Sequence, residues 1–385
     1  MKIKPFLLPS VMVILCGLAA CAPATATPGR PVTVTQAPTA QTAPPNVATA
    51  TALPLVPTAT PASTLTPALT SAPPEATSTP AQPKITLITP GGTADEAVLA
   101  AVKRAAQEFG WLPEVLPGTA VNAAAQSGAA VIIVDDAAQE DAARAAASAF
   151  PSVYFICLHL TGSDLPPNLL ALGGAAREDQ AGFLAGMAAG FATQGQRVAV
   201  ISASTSVAGL RYGNGFLHGV RYTCPRCRID NLEVTDPADT GSAVDLDNKY
   251  RLYGVDVFFA AAGEAGNAAL VKVVQAGAWG IGSGNDVYIT LFNNGATPGA
   301  DKLLTSVYLD PAAAVYAALT HYHAGTPFAG PQALSAASGA LQLAPYRNVA
   351  GALSALDEQD ITTTLTRLAD GSFETGIDPL TGEER

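Results

Sequence analysis

The chain has 385 residues, with 20 Lys and Arg against 31 Asp and Glu and a formal net charge of −11. A nucleic-acid binder needs a basic face, so the acidic balance sets that class aside. Charged residues make up 13% and aromatics 6%, while Gly reaches 35 and Pro 30. A globular domain averages about 25% charged residues, so the chain must join segments of unlike kind.

Lys2 and Lys4 precede an apolar run from Phe6 to Ala20 that Pro9 interrupts and Cys21 ends. This is the pattern of a secretory signal, and it is shorter than the about 20 apolar residues a membrane span requires. Leu18-Ala19-Ala20-Cys21 resembles a bacterial lipobox, which implies that residues 1–21 form a lipoprotein signal and that Cys21 takes lipid. Two or more acyl tails suffice for stable anchoring. Residues 22–83 are nearly all Thr, Pro, Ala, Ser and Val, with Arg30 and Glu75 their only charges. Such a segment has no core to bury and is read as a disordered, semi-rigid tether.

Residues 84–385 are long enough for two domains or one bilobed unit at roughly 150 residues per domain. Lys84 to Thr89 is a short apolar strand. After Pro90-Gly91-Gly92, the Thr93-Ala-Asp-Glu96 spacing predicts a capping box and a helix running to Gly110. Strands follow at Ala130–Val134, Val153–Leu158, Leu169–Leu172, Val198–Ser202, Val255–Ala260, Trp279–Ile281 and Leu303–Leu309. Helices are predicted at Gln139–Phe150, Asp179–Ala192, Tyr212–Arg221, Ser242–Tyr253 and Ala265–Ala276. Strands alternating with helices imply an α/β fold with parallel sheets covered on both faces, and such sheets bind ligands at the carboxyl ends of their strands. Those ends carry Thr89 and Gly92, Asp135 and Asp136, Ser202 and Ser204, Gly263 and Asn267, and Asn285 and Asp286. One loop of this kind is ordinary turn chemistry, but five along one edge point to a small-molecule site.

The order of Ala176 to Gly186, Arg197 to Ile201, Asn214 to Val220, Asp256 to Asn267, Ile281-Gly282 and Thr305-Ser-Val307 resembles the basic membrane protein family, the purine nucleoside receptors of ABC importers. The resemblance implies a type 1 periplasmic-binding fold. Its two lobes, 84–174 plus 310–333 and 175–309 plus 334–385, would be joined by three crossings near Gly174, Leu309 and Leu334 and would close on a ligand. It also matches Tyr212 to a family aromatic that could stack on a ring or pack internally. Three positions depart from the family pattern, which puts an aromatic, a carboxylate and a lysine where this chain has Val98, Gly284 and Leu309. Losing buried hydrogen-bond partners costs about 1–3 kcal/mol each, so altered ligand specificity is expected.

Cys224-Pro-Arg-Cys227 follows a helix and reads as a local disulfide in an oxidising compartment, with a zinc half-site and a redox pair as rivals. Neither a second CxxC nor an HxxxH supplies further zinc ligands, and Cys157 is expected to be a buried thiol. The chain lacks G-x-S-x-G, G-x-G-x-x-G and Walker A sequences, and its histidines are His159, His218, His321 and His323. Catalytic residues, metal and cofactor are therefore not expected. Gly182-x-x-x-Gly186-x-x-x-Gly190 imitates a membrane dimer motif within a run too short to span, and is read as a helix pressed against a sheet. The expectation is an extracytoplasmic, lipid-anchored solute-binding protein that delivers a small polar, nucleoside-like ligand to an ABC permease. The alternative is a ligand-sensing or structural surface lipoprotein.

Overall fold

The computed structural model describes residues 82–203, 205–347 and 351–385. The signal, Cys21, nearly all of the tether and Ser204 lie outside the described residues. In chain order the first lobe builds β1 (Lys84–Thr89), α1 (Glu96–Phe109), β2 (Leu112–Pro117), α2 (Val121–Gln126), β3 (Ala129–Val134), α3 (Glu140–Ala149), β4 (Tyr154–Cys157) and β5 (Leu169–Ala176). The chain then crosses into a second lobe of the same plan: α4 (Glu178–Ala192), β6 (Arg197–Ala203), α5 (Val207–Thr223), β7 (Arg228–Val234), α6 (Thr240–Leu252), β8 (Val257–Ala261), α7 (Gly263–Gln275), β9 (Trp279–Ser283), α8 (Val287–Thr290) and β10 (Leu303–Leu309). It returns through α9 (Pro311–His323) and β11 (Gly330–Leu334), then ends on the second lobe with β12 (Leu341–Leu343) and α10 (Ala355–Ala369).

The two sheets run β11-β5-β4-β3-β1-β2 and β12-β10-β9-β8-β6-β7. All neighbours pair in parallel except β10 and β12. Central strands such as β3, β4 and β8 are continuous apolar runs because helices cover both faces. Edge strands carry a weaker signal. Pro113 and Pro117 in β2 and the polar residues of β7 break the apolar pattern, as an edge permits, and β11 and β12 also lie at edges. For this reason the sequence pattern omits all four.

Local chemistry sets the ends of α1. Asp95 rather than Thr93 is the cap, its carboxylate accepting from the Ala97 and Val98 N–H groups at 2.8 and 3.1 Å. Gly110 closes the helix in the left-handed region at φ 71°, where a side chain is disfavoured.

The glycines of α4 meet another helix more closely than any sheet. A Cβ on Gly182 would stand 2.4 Å from the Tyr212 carbonyl oxygen and one on Gly186 2.3 Å from that of Phe216. In return, a Cβ on Gly219 of α5 would stand 2.0 Å from the Phe183 oxygen. Paired backbones this close bury α4 nearly all round, which accounts for its apolar composition without a membrane.

The crossing from β5 to α4 is pinned by a buried charge. Asp179, fully buried, accepts from Arg177 Nε and Nη2, each at 2.8 Å, and from the hydroxyl of Thr375 in the C-terminal tail. Phe373 of the same tail packs on Phe183, with ring centroids 5.1 Å apart.

Candidate ligand-binding cleft

The chain leaves β5 for α4 and β10 for α9 at the carboxyl ends of those strands. Both sheets therefore present their carboxyl ends to the junction between the lobes. In each sheet the order reverses once, between β1 and β3 and between β6 and β8, and the carboxyl ends at such switch points form ligand crevices.

On the first lobe the strand ends form a continuous row. Thr89 closes β1 fully buried, and its Oγ1 has no hydrogen-bond partner among the described residues. Gly91 and Gly92, at φ 59° and 82°, bend the chain away from it. The Asp135 N–H donates to the Ile88 carbonyl at 2.8 Å, holding the β3 loop beside β1. The Asp135 carboxylate lies 3.0 Å from His159 Nε2, and the imidazole is half exposed. Asp136 points elsewhere and accepts from the Ala138 N–H at 3.0 Å.

The second lobe uses more of its polar groups internally. Ser202 is buried and donates to Asn231 Oδ1 of β7 at 3.0 Å. Tyr212 packs edge-on to Phe259 with centroids 5.8 Å apart, and burial, aided by the Glu178 charge, raises its phenol well above the ordinary range. Asp286 caps α8 and takes both Arg347 nitrogens at 3.1 and 2.7 Å, while the guanidinium lies 4.2 Å from the Tyr288 ring centroid. Asn285 Oδ1 accepts from the Thr290 hydroxyl at 2.6 Å. Gly263 opens α7 at φ 59°, with Asn267 one turn further along.

Thus Thr89, Gly92 and Asp135 share one strand-end row, while Ser202, Tyr212 and Asp286 are committed to contacts within their own lobe. His159 and Arg347 are additions that sequence reasoning missed. His159 stands two residues past the carboxyl end of β4, a place the strand pattern could have singled out. Arg347 joins Asp286 only through the antiparallel return of β12. Two grooves also lie beside the crossings: one of about 540 Å³ between α1 and α9, reaching Gly339 and Gln342, and one of about 570 Å³ between β11 and the C-terminal tail. Neither includes one of the sequence-predicted ligand residues.

The fold and the double row of strand ends define a two-lobed solute-binding protein of the periplasmic-binding type. The profile of the family described as ABC transporter substrate-binding protein PnrA-like (Bmp) matches residues 118–336, more than half of the chain, which therefore belongs to that family. The family consists of extracytoplasmic substrate-binding proteins rather than enzymes. An ABC transporter system solute-binding protein from Conexibacter woesei superimposes with a TM-score of 0.55 at 18% identity, covering 76% of this chain and 98% of that one. A transcriptional activator of the comK gene from Bacillus halodurans also gives 0.55, at 15% identity, with 75% and 99% covered. At these identities the likeness is one of fold. No curated protein sequence matches. Among the described residues no helix is long and apolar enough to cross a membrane.

Proposed function

We propose that the chain binds a small, hydroxyl-bearing polar ligand, a nucleoside or a retuned relative, between its lobes by hinge closure. Thr89, Asp135 and His159 would meet the ligand from one side, and Asn267 and Asn285 from the other. Cys21 would carry the lipid anchor, residues 22–83 would serve as the tether, and an ABC permease would receive the ligand. The observation that carries this reading is the Thr89 hydroxyl, buried and without a partner among the described residues, beside the Asp135–His159 pair. Leaving such a group unpaired costs about 1–3 kcal/mol, which a polar ligand atom would offset. A thermal-shift screen of the protein against nucleosides, nucleobases, pentoses and amino acids tests it. A ligand at about 100 times its Kd stabilises the fold by about 2.7 kcal/mol, and Thr89→Val should weaken any hit. A hit unaffected by Thr89→Val and Asp135→Asn would place the ligand elsewhere.

The second reading, a sensing or structural surface lipoprotein without a transporter, draws on Ser202 and Asp286, whose side chains are already paired within the second lobe. Silence across the screen would favour it.

A further inference from the structure

We infer that the pole of the second lobe farthest from the cleft, where its strands begin, docks on an anionic lipid surface. The strands of this sheet start on cations and an aromatic: Arg197 opens β6, Arg228 opens β7, Trp279 opens β9, and Lys302 immediately precedes β10. These residues line one end of the sheet, with Asp256 between the two pairs, its backbone bonded to both Arg197 and Trp279. Arg197 pairs in register with Arg228 and donates to the Tyr253 carbonyl at 2.7 Å, while the Lys302 ammonium stands 4.4 Å from the Trp279 ring centroid. The helices that descend to the same end add Lys249 on α6 and Lys272 on α7, and the turn after α5 adds Arg226.

Two carboxylates at this pole are already occupied, while Asp301 beside Lys302 and Asp245 one turn before Lys249 offset part of the positive charge. Asp230 is shared by Arg197 and Arg228, and Asp256 accepts from the Thr193 hydroxyl and from the Gln194 and Gly195 N–H groups. Arg226, Lys249, Lys272 and Lys302 have no ion-pair partner among the described residues. The attraction of cations to helix carboxyl ends accounts for Lys249 and Lys272. It does not account for cations at strand starts, nor for the outward apolar side chains beside them. Leu252 is 82% exposed and Tyr253 56%.

A cationic pole on a chain of net charge −11, carrying exposed Leu and Tyr, combines two attractions to an anionic bilayer. The cations meet headgroup phosphates, and the apolar and aromatic side chains enter the interfacial region. Projecting flexible side chains suit a soft surface better than a shaped protein groove. Docking at this pole would hold the domain at the membrane independently of any lipid on Cys21.

The test is differential, because the apolar run Phe6 to Ala20 of the full chain has its own affinity for bilayers. Co-sedimentation with phosphatidylcholine vesicles, with and without about one-third phosphatidylglycerol, compares the full chain with an Arg226→Glu/Lys249→Glu/Lys272→Glu variant. The expected result is a preference for anionic vesicles that high salt removes and that the variant loses by about tenfold or more, with unchanged partition onto phosphatidylcholine. Trp279 is one of two tryptophans, so a vesicle-induced emission shift that Trp279→Phe abolishes locates the contact. Equal partition of wild type and variant, each with an unchanged melting temperature, would overturn the inference. So would charge-reversal loss of binding to an isolated permease complex without any preference for anionic vesicles.

Discussion

Replacing Gly186 by Ala tests the account of how α4 and α5 fit together. An added Cβ would lie 2.3 Å from the Phe216 carbonyl oxygen and 2.8 Å from the Val220 nitrogen. Both are backbone atoms of a helix and cannot swing aside. Comfortable carbon contacts begin near about 3.5 Å, so the two helices must part by about 1 Å over their shared length. That separation also loosens Gly182 and Gly219, which make the same kind of approach. Overpacking of this sort costs about 1–3 kcal/mol, against which Ala gains about 1 kcal/mol of helix propensity over Gly. The closeness of the clash puts the cost at its upper end, giving a net loss of about 2 kcal/mol by urea denaturation. Gly241→Ala is the control: it lies exposed in the first turn of α6, where the new Cβ would meet only the cap carboxylate of Asp239, at an ordinary 3.6 Å. It should be neutral or stabilise by up to about 1 kcal/mol. If Gly186→Ala proves as stable as the wild type, close helix contact is not what the glycines provide.

Asp179→Asn should cost about 3 kcal/mol or more, since it leaves the Arg177 charge without its buried partner. Removing both partners in an Arg177→Met/Asp179→Leu variant should cost less, and a larger loss in that variant would contradict the assignment. Burial, aided by the Glu140 charge, pushes the Cys157 thiol from the ordinary 9.0 up to about 12. Native protein at pH 8 should therefore hide this thiol from Ellman's reagent, and denaturation should expose it. The folded state holds the proton more tightly than the unfolded state. Its stabilising contribution is therefore complete below about pH 9 and is lost as the pH rises from there toward about 12. Cys157→Ala should flatten that part of the stability profile, and an unchanged alkaline slope would refute the assignment.

Much of the molecule could be read from its sequence because its determinants are local. The apolar runs of the central strands, the 3.6-residue spacing of α1 and Gly110 at its end reveal an alternating α/β plan, and the ordered motifs from Ala176 to Val307 reveal the family. The strand-end row was legible in Thr89, Gly92 and Asp135, since residues at turn positions after apolar runs fall on one edge of a parallel sheet. Only the tertiary structure decided which of these side chains remain available. Ser202 finds Asn231 across neighbouring strands, and Asp286 finds Arg347 some 61 positions away in the chain. His159 meets Asp135 over a separation of 24. Nothing in local spacing encodes such pairings. The same holds for Gly182 and Gly186: composition announced a close approach, but the partner was a helix whose position depends on how both elements pack against one sheet. Hydrophobic periodicity is a property of a segment, whereas the satisfaction of a polar group depends on everything folded around it.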